Sequence, residues 1–336
     1  MFKTTSIYCN KTMTNFSLNS QAFSQETGLN QPRLKVVTLT KDTTEKFLNV
    51  VKKFNLQAIE YKPFLRFYIA NCLNELTDNE LGTFLINNLQ NRETGAILLE
   101  CEGASEKDTK SEDFIDFNIL LSTAVSHLIG LPNLDSMSGK FYARFSVRNE
   151  DNSDSYLRQA HRRMELHNDG TYVQEKTDWV IMQKIIESNV EGGESLLLHL
   201  DDWTDLQKFY EHPLAKENLH WSSPSSKNVH YKTTHPIFLD ENKDGKPIMS
   251  YIDQFAEPKN MEQGLYLYEL GESLENDNAT YSVKLNEGSM LIINNYFWLH
   301  GRDKFTANKN LHRELLRQRG VFAENINYAD FLINDQ

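Results

Sequence analysis

The chain has 336 residues, 39% of them hydrophobic and 24% charged, enough for a sizeable core in one large domain or two ordinary ones. A net charge of −12 argues against a broad nucleic-acid-binding face, so any anionic ligand must be met by a local cluster of Arg or Lys. Three cysteines without a close pair, Cys9, Cys72 and Cys101, speak against a disulfide framework or a CxxC zinc site; no run of 18 apolar residues and no signal-like leader is present, so a cytoplasmic protein without a membrane span is expected.

Residues 1 to about 33 are rich in Ser, Thr, Asn and Gln and read as a polar tail, flexible or lying on the surface. A strand over RLKVVTLT then opens a single domain expected to run over 34–336. KDTTEKFLNVVKKF follows as a helix capped by Thr43 or Thr44, with Phe47, Val50, Val51 and Phe54 as its apolar stripe. DNELGTFLINNLQN and SEDFIDFNILLSTAVSHLIG are two more helices, the second stopped by Gly130 and Pro132. From Gly139 the texture turns strand-like: KFYARFSVR, DWVIMQKIIE, ESLLLHL, YSVKL, GSMLIINNYFWLHG and RELLRQRGVF, separated by polar turns, with a short helix in HLDDWTDLQKFYEHP. The expected fold is mainly β with flanking helices: a helical N-terminal part on a mostly antiparallel, jelly-roll or cupin-like double-sheet core.

In MELHNDGTY, His167 and Asp169 are two residues apart and share one side of an extended segment. His300, at the end of the apolar stretch NNYFWLHG, would complete a set of two His and one carboxylate. That set is the facial triad of non-haem Fe(II) oxygenases, which leaves one face of the metal open for a chelating co-substrate and dioxygen. Zinc hydrolases more often use three His, or two His and Glu, so the set favours iron. On the HxD pair alone, a plain HNDG turn is an equal reading.

The last strand adds weight. Arg317 and Arg319 are two apart, share a face with apolar Leu315 and Val321, and follow His300 by 17 and 19 residues. Two guanidiniums facing into a β core need an anion, and Arg forks match carboxylates; the alternative is an outward basic strand. In VEGGESLLLHL, Gly192 and Gly193 would let the backbone approach a ligand and Ser195 donate to a carboxylate, although a simple hairpin turn explains that stretch by itself. Tyr142, Arg144, Ser146 and Arg148 share one face of KFYARFSVR, either a polar pocket wall or a solvated surface. Phe297 and Trp298 read as core.

These residues, with DNSDSYLRQ, HRRMELHNDGTY, GGESLLLHLDDW, HPLA, PSSKNV, YIDQF, LIINNYFWLHGRDKFT and RELLRQRG, resemble the glutarate 2-hydroxylases, the carbon-starvation-induced family of Fe(II)/2-oxoglutarate-dependent dioxygenases. The resemblance runs from about Leu34 to about Ala323. It implies a double-stranded β-helix, a homotetramer and a role in lysine degradation through glutarate. It also implies Fe(II), 2-oxoglutarate and O2 as reaction partners, with glutarate hydroxylated to L-2-hydroxyglutarate as succinate and CO2 are released. Carried over by position, His167, Asp169 and His300 hold the iron, and Arg319, aided by Ser195, holds the distal carboxylate of 2-oxoglutarate. Arg317 then lies at glutarate, with Tyr142 and Arg144 as candidate substrate contacts. Rival readings are a dioxygenase of the same mechanism for another small acid, a non-catalytic β-barrel that binds metal or carboxylate, and a zinc hydrolase.

Overall fold

Strands from both ends of the chain meet in one sheet. The computed structural model describes residues 21–103, 111–135, 138–148, 162–223, 231–239, 244–306 and 308–325. The stretches DNSDSYLRQ and PSSKNV, and Cys9, lie outside them.

The chain opens with a hairpin, β1 (Phe23–Gly28) and β2 (Gln31–Leu39). This corrects the expected tail, because ordered pairing begins well before residue 34: Phe23 is buried and lies opposite Leu39. Four helices follow: α1 (Lys41–Val51), α2 (Leu56–Tyr61), α3 (Pro63–Leu76) and α4 (Leu81–Gln90). The cap of α1 is Thr40, in extended conformation with its side chain accepting from Thr43 N; Thr43 and Thr44 are buried in the first turn instead. Next come β3 (Ala96–Cys101) and the long α5 (Glu112–Ile129), capped by Ser111 with Glu112 and Asp113 complementing the helix dipole. The remaining strands are β4 (Gly130–Pro132), β5 (Ala143–Arg148), β6 (Met164–His167), β7 (Trp179–Ser188) and β8 (Ser195–His199). A short α6 (Leu206–Tyr210) leads to β9 (Leu219–Ser222), β10 (Lys232–His235), β11 (Ala256–Glu257) and α7 (Met261–Glu275). The chain closes with β12 (Tyr281–Val283), β13 (Met290–Asn294), β14 (Trp298–Arg302) and β15 (His312–Phe322).

The large sheet has the order β1-β2-β3-β13-β7-β15-β4, with β5 on β15; the smaller sheet is β12-β8-β14-β6, and β10-β9-β11 form a third. Pairing is antiparallel apart from β2 with β3, whose connection runs through α1 to α4.

The two faces of the large sheet bury different partners. Ile97, Ile181, Ile185, Met290, Ile292 and Leu316 pack with residues of α1 to α5. Val180, Met182, Leu291 and Ile293 pack with Leu197, Leu198, Trp298 and Leu299 of the smaller sheet. Two sheets face to face, with α1 to α5 on the outer side of the large one and α6 and α7 packed with the smaller one, make a mainly β sandwich. Buried amides fix which face is which: Gln318 Nε2 donates to Ser122 Oγ of α5 at 3.1 Å, and Gln183 Nε2 to Asn118 Oδ1 of the same helix at 2.7 Å. Since side chains alternate along β15, Gln318 facing α5 sends Arg317 and Arg319 to the other face, between the sheets.

Candidate metal centre and dicarboxylate site

His167 ends β6 directly opposite His300 on β14, with ring centroids 4.3 Å apart. The chain turns after His167 and brings in Asp169. Asn295, in the turn between β13 and β14, fixes that turn from both sides: its Oδ1 accepts from Asp169 N at 2.9 Å, and its Nδ2 donates to the carbonyls of Asp169 and Thr177, each at 2.9 Å. Asn168 adds a bond from Nδ2 to Asn295 O at 2.6 Å and accepts from Tyr251 N at 3.0 Å. One ligand atom from each of His167, Asp169 and His300 lies within 4.8 Å of the others. The HNDG stretch is therefore a strand end plus a turn, and the turn is what aims Asp169 at the two imidazoles.

The protonation states suit a divalent cation. His167 Nδ1 donates to Glu165 O at 2.7 Å, which leaves Nε2 with its lone pair. Asp169 Oδ1 accepts from Arg317 Nη1 at 3.0 Å, while the buried Oδ2 has no hydrogen-bond partner among the described residues. Burial opposes the charge on Asp169, but Arg317, His300, Arg319 and His167 together outweigh it and hold the carboxyl far below its usual range. Burial, reinforced by His167, pushes His300 down to about 3, so its imidazole stays neutral; its buried Nδ1 also lacks a partner. Neutral imidazoles and an ionised carboxylate with an open oxygen are what a divalent metal requires of its ligands. The residues fit the metal that the sequence implies.

Two cationic poles flank this triad along β15. At one, Arg317 bonds Asp169 and lies 3.7 Å from Asp135, and the Arg319 side chain makes no hydrogen bond or ion pair with any described residue. A side chain at Gly170 would come within 3.9 Å of Arg319 Nη1, so Arg319 sits beside the turn that carries Asp169. At the other pole are residues that sequence reasoning missed. Arg302, two residues after His300, and Arg313, four before Arg317, both lie over the Phe305 ring, at 4.8 and 5.6 Å from its centre. Arg313 is 4% exposed and its Nε has no partner; burial, then the nearby Arg302, push it down to about 10. Burial and Arg313 likewise lower Lys184 to about 8. Arg313, Lys184 and Ser195 line one cavity of about 200 Å³, so Ser195 lies at this pole and not beside Arg319.

The structure separates other expected residues from the site. Tyr142 Oη donates to Glu60 Oε1 at 2.6 Å, and Arg144 pairs with Glu314 and sits opposite Leu316, which packs against the helices. Tyr142 and Arg144 are therefore on the wrong face of β5 to touch a substrate at the triad, and this corrects their assignment. It is the alternate set, Ala143, Phe145 and Val147, that shares the side of Arg313 and Arg317. Gly192 and Gly193 both have positive φ, and a Cβ at Gly193 would meet the Phe305 ring at 1.9 Å. Gly193 makes room for the Phe305 ring beneath the two arginines, and both glycines line the cavity that holds Arg313 and Ser195. Phe297 and Trp298 are core, the indole donating to Thr94 O at 2.7 Å.

Comparison with known proteins adds three findings. The CsiD family model matches residues 23–322. The chain is 53% identical over 292 residues to the glutarate 2-hydroxylase of Salmonella typhimurium strain LT2, covering 87% of this chain and 88% of that protein. It is 50% identical over 301 residues to the glutarate 2-hydroxylase of Citrobacter koseri, covering 90% and 91%. Among solved structures, an asparagine oxygenase in complex with Fe(II), 2S,3S-3-hydroxyasparagine and succinate aligns with a TM-score of 0.68 at 15% identity, covering 86% of this chain and 93% of that one. The non-heme iron oxygenase OrfP in complex with Fe and alpha-ketoglutaric acid aligns with a TM-score of 0.63 at 15% identity, over 86% and 93%. At such identity these two likenesses concern the fold.

Proposed function

The chain belongs to the CsiD family, and from that premise we propose that it is an Fe(II)- and 2-oxoglutarate-dependent oxygenase that hydroxylates glutarate to L-2-hydroxyglutarate, releasing succinate and CO2. The observation that carries this reading is the buried His167–Asp169–His300 group with arginines at both of its poles. Two dicarboxylates bring four negative charges, and the four arginines 302, 313, 317 and 319 are placed to receive the ends that do not meet the metal.

In this reading His167, Asp169 and His300 hold the iron. When bound, Fe(II) supplies the dioxygen chemistry that couples oxidation of 2-oxoglutarate to hydroxylation of a C–H bond. The chain's own residues sort the two acids. Glutarate and 2-oxoglutarate have the same carbon chain and charge, but only 2-oxoglutarate has a keto oxygen beside a carboxylate, so it alone is bidentate. Its distal carboxylate belongs at Arg313 and Ser195, because Arg313 is nearly fully buried and its Nε has no partner. Glutarate then belongs at Arg317 and Arg319, which are half-buried and nearer the mouth. This exchanges the roles expected from sequence, in which Arg319 held 2-oxoglutarate. Phe305, nearly fully buried beneath Arg302 and Arg313, keeps bulk water from that pole.

The paired sheets support a double-stranded β-helix, and strands from both chain ends in one sheet support a single catalytic domain that begins near residue 22. Exposed apolar faces on α3 (Phe64, Phe67, Tyr68) and α7 (Leu265, Tyr268) support self-association into the homotetramer. Cys72 is a free thiol, and no helix among the described residues is long and apolar enough to cross a membrane, which suits a cytoplasmic enzyme of lysine and glutarate catabolism.

A panel of acids tests the substrate. With Fe(II) and 2-oxoglutarate supplied, glutarate is expected to stimulate succinate formation at least tenfold more than six- or seven-carbon diacids. Stronger stimulation by another acid would keep the oxygenase and replace the substrate, whereas bound iron with no succinate from any acid would favour a binding protein.

A further inference from the structure

We propose that Phe145 sets the chain-length specificity of this site, its ring forming the apolar wall against the methylenes of the acid held by Arg317 and Arg319. The inference rests on the dicarboxylate reading above. Among the described residues Phe145 is the one large apolar side chain within a β-strand that is exposed, at 42%; the other exposed ones lie in helices, turns or loops. It belongs to the face of β5 that shares the side of Arg313, Leu315 and Arg317, and its backbone is paired with Leu315. The Arg317 guanidinium lies 4.7 Å from the centre of the Phe145 ring while its Nη1 bonds Asp169 Oδ1 at 3.0 Å. One side chain therefore spans from the metal carboxylate to this ring, and the ring stands at the edge of the space where a second acid must lie.

The chemistry needs such a wall. The two carboxylates of glutarate are joined by three methylenes, and arginines alone cannot count methylenes. An apolar surface along the chain between them can, since each methylene moved from water onto it is worth about fourfold in affinity. A longer chain must buckle against the ring, and loss of the ring removes both the attraction and the obstruction. An exposed aromatic carries no core burden, so its removal should leave the fold standing.

The test compares wild type with Phe145→Ala and Phe145→Leu. In Phe145→Ala the KM for glutarate is expected to rise about tenfold, the preference for glutarate over adipate to fall about fivefold or more, and the KM for 2-oxoglutarate to stay within twofold. Phe145→Leu should recover most of the glutarate affinity and also serves if the Ala variant does not fold. Calorimetric titration of glutarate into the anaerobic protein loaded with Co(II) and 2-oxoglutarate should show the same tenfold weakening without turnover. An unchanged KM for glutarate overturns the proposal. So does equal weakening of every diacid at constant selectivity, which would make Phe145 only a prop for Arg317. If wild type binds glutarate in the titration but makes no hydroxylated product, the oxygenase reading fails and the wall is still judged by the variants' binding; if wild type binds no glutarate, both fail.

Discussion

Asp169→Ala is expected to lose about three orders of magnitude in turnover and to bind Fe(II) far more weakly, yet to fold. The lost activity follows from the geometry: Asp169 Oδ2 is the buried carboxylate oxygen without a partner, and no other described acid joins His167 and His300 within reach. The intact fold follows from what happens to Arg317. Stranding a buried cation costs about 3–5 kcal/mol, but Arg317 is 20% exposed and keeps Asp135 at 3.7 Å, so most of that cost is avoided. Circular dichroism, thermal melting and Fe(II) titration check both halves. Wild-type iron affinity in the variant would remove Asp169 from the ligand set.

Arg313→Leu is expected to raise the KM for 2-oxoglutarate by about 100-fold or more, because a desolvated carboxylate loses a charge-assisted partner worth about 3 kcal/mol. Stability should hold or rise, since Arg313 is 4% exposed and an apolar group of similar size removes a buried cation rather than leaving one unpaired. Arg319→Leu is the contrasting variant: it should raise the KM for glutarate and leave that for 2-oxoglutarate nearly unchanged. Steady-state kinetics with each acid varied in turn decide the matter, and the opposite pattern would return 2-oxoglutarate to Arg319.

Much of the site was legible because it depends on short spacings in extended chain. His167 and Asp169, and Arg317 and Arg319, are pairs at a separation of two, and the period of a strand predicts where they point. His300 was legible as a lone imidazole closing an apolar strand. What escaped were features set by tertiary pairing. The face of β5 depends on its register with β15, and nothing in KFYARFSVR says that Phe145 rather than Arg144 looks toward the triad. Arg313 shares the parity of Arg317 and could have been added by extending the same count by four residues. Asn295 offered a weaker signal, an amide doublet in the apolar run LIINNYFWL, and it proves to fix the turn of Asp169.

The same logic explains the elements that were missed. In α3 the buried residues are Ile69, Ala70 and Leu73, yet Phe64, Phe67 and Tyr68 on the outer side are also apolar. In α7, Met261, Leu265 and Tyr268 are exposed opposite buried Tyr266, Leu270 and Leu274. Apolar residues on both sides erase the helical stripe on which sequence reading depends. The tail boundary was misjudged because β1, FSQETG, is polar at an edge and gains its order from pairing with β2.

The most direct test of the central account uses isotopic oxygen. Purified protein is loaded anaerobically with Fe(II), 2-oxoglutarate and glutarate, exposed to 18O2, and its products are read by mass spectrometry. The account predicts succinate and 2-hydroxyglutarate in equal amounts, with one labelled oxygen delivered to each. Labelled succinate without labelled 2-hydroxyglutarate, or neither product from protein with iron bound, would contradict it.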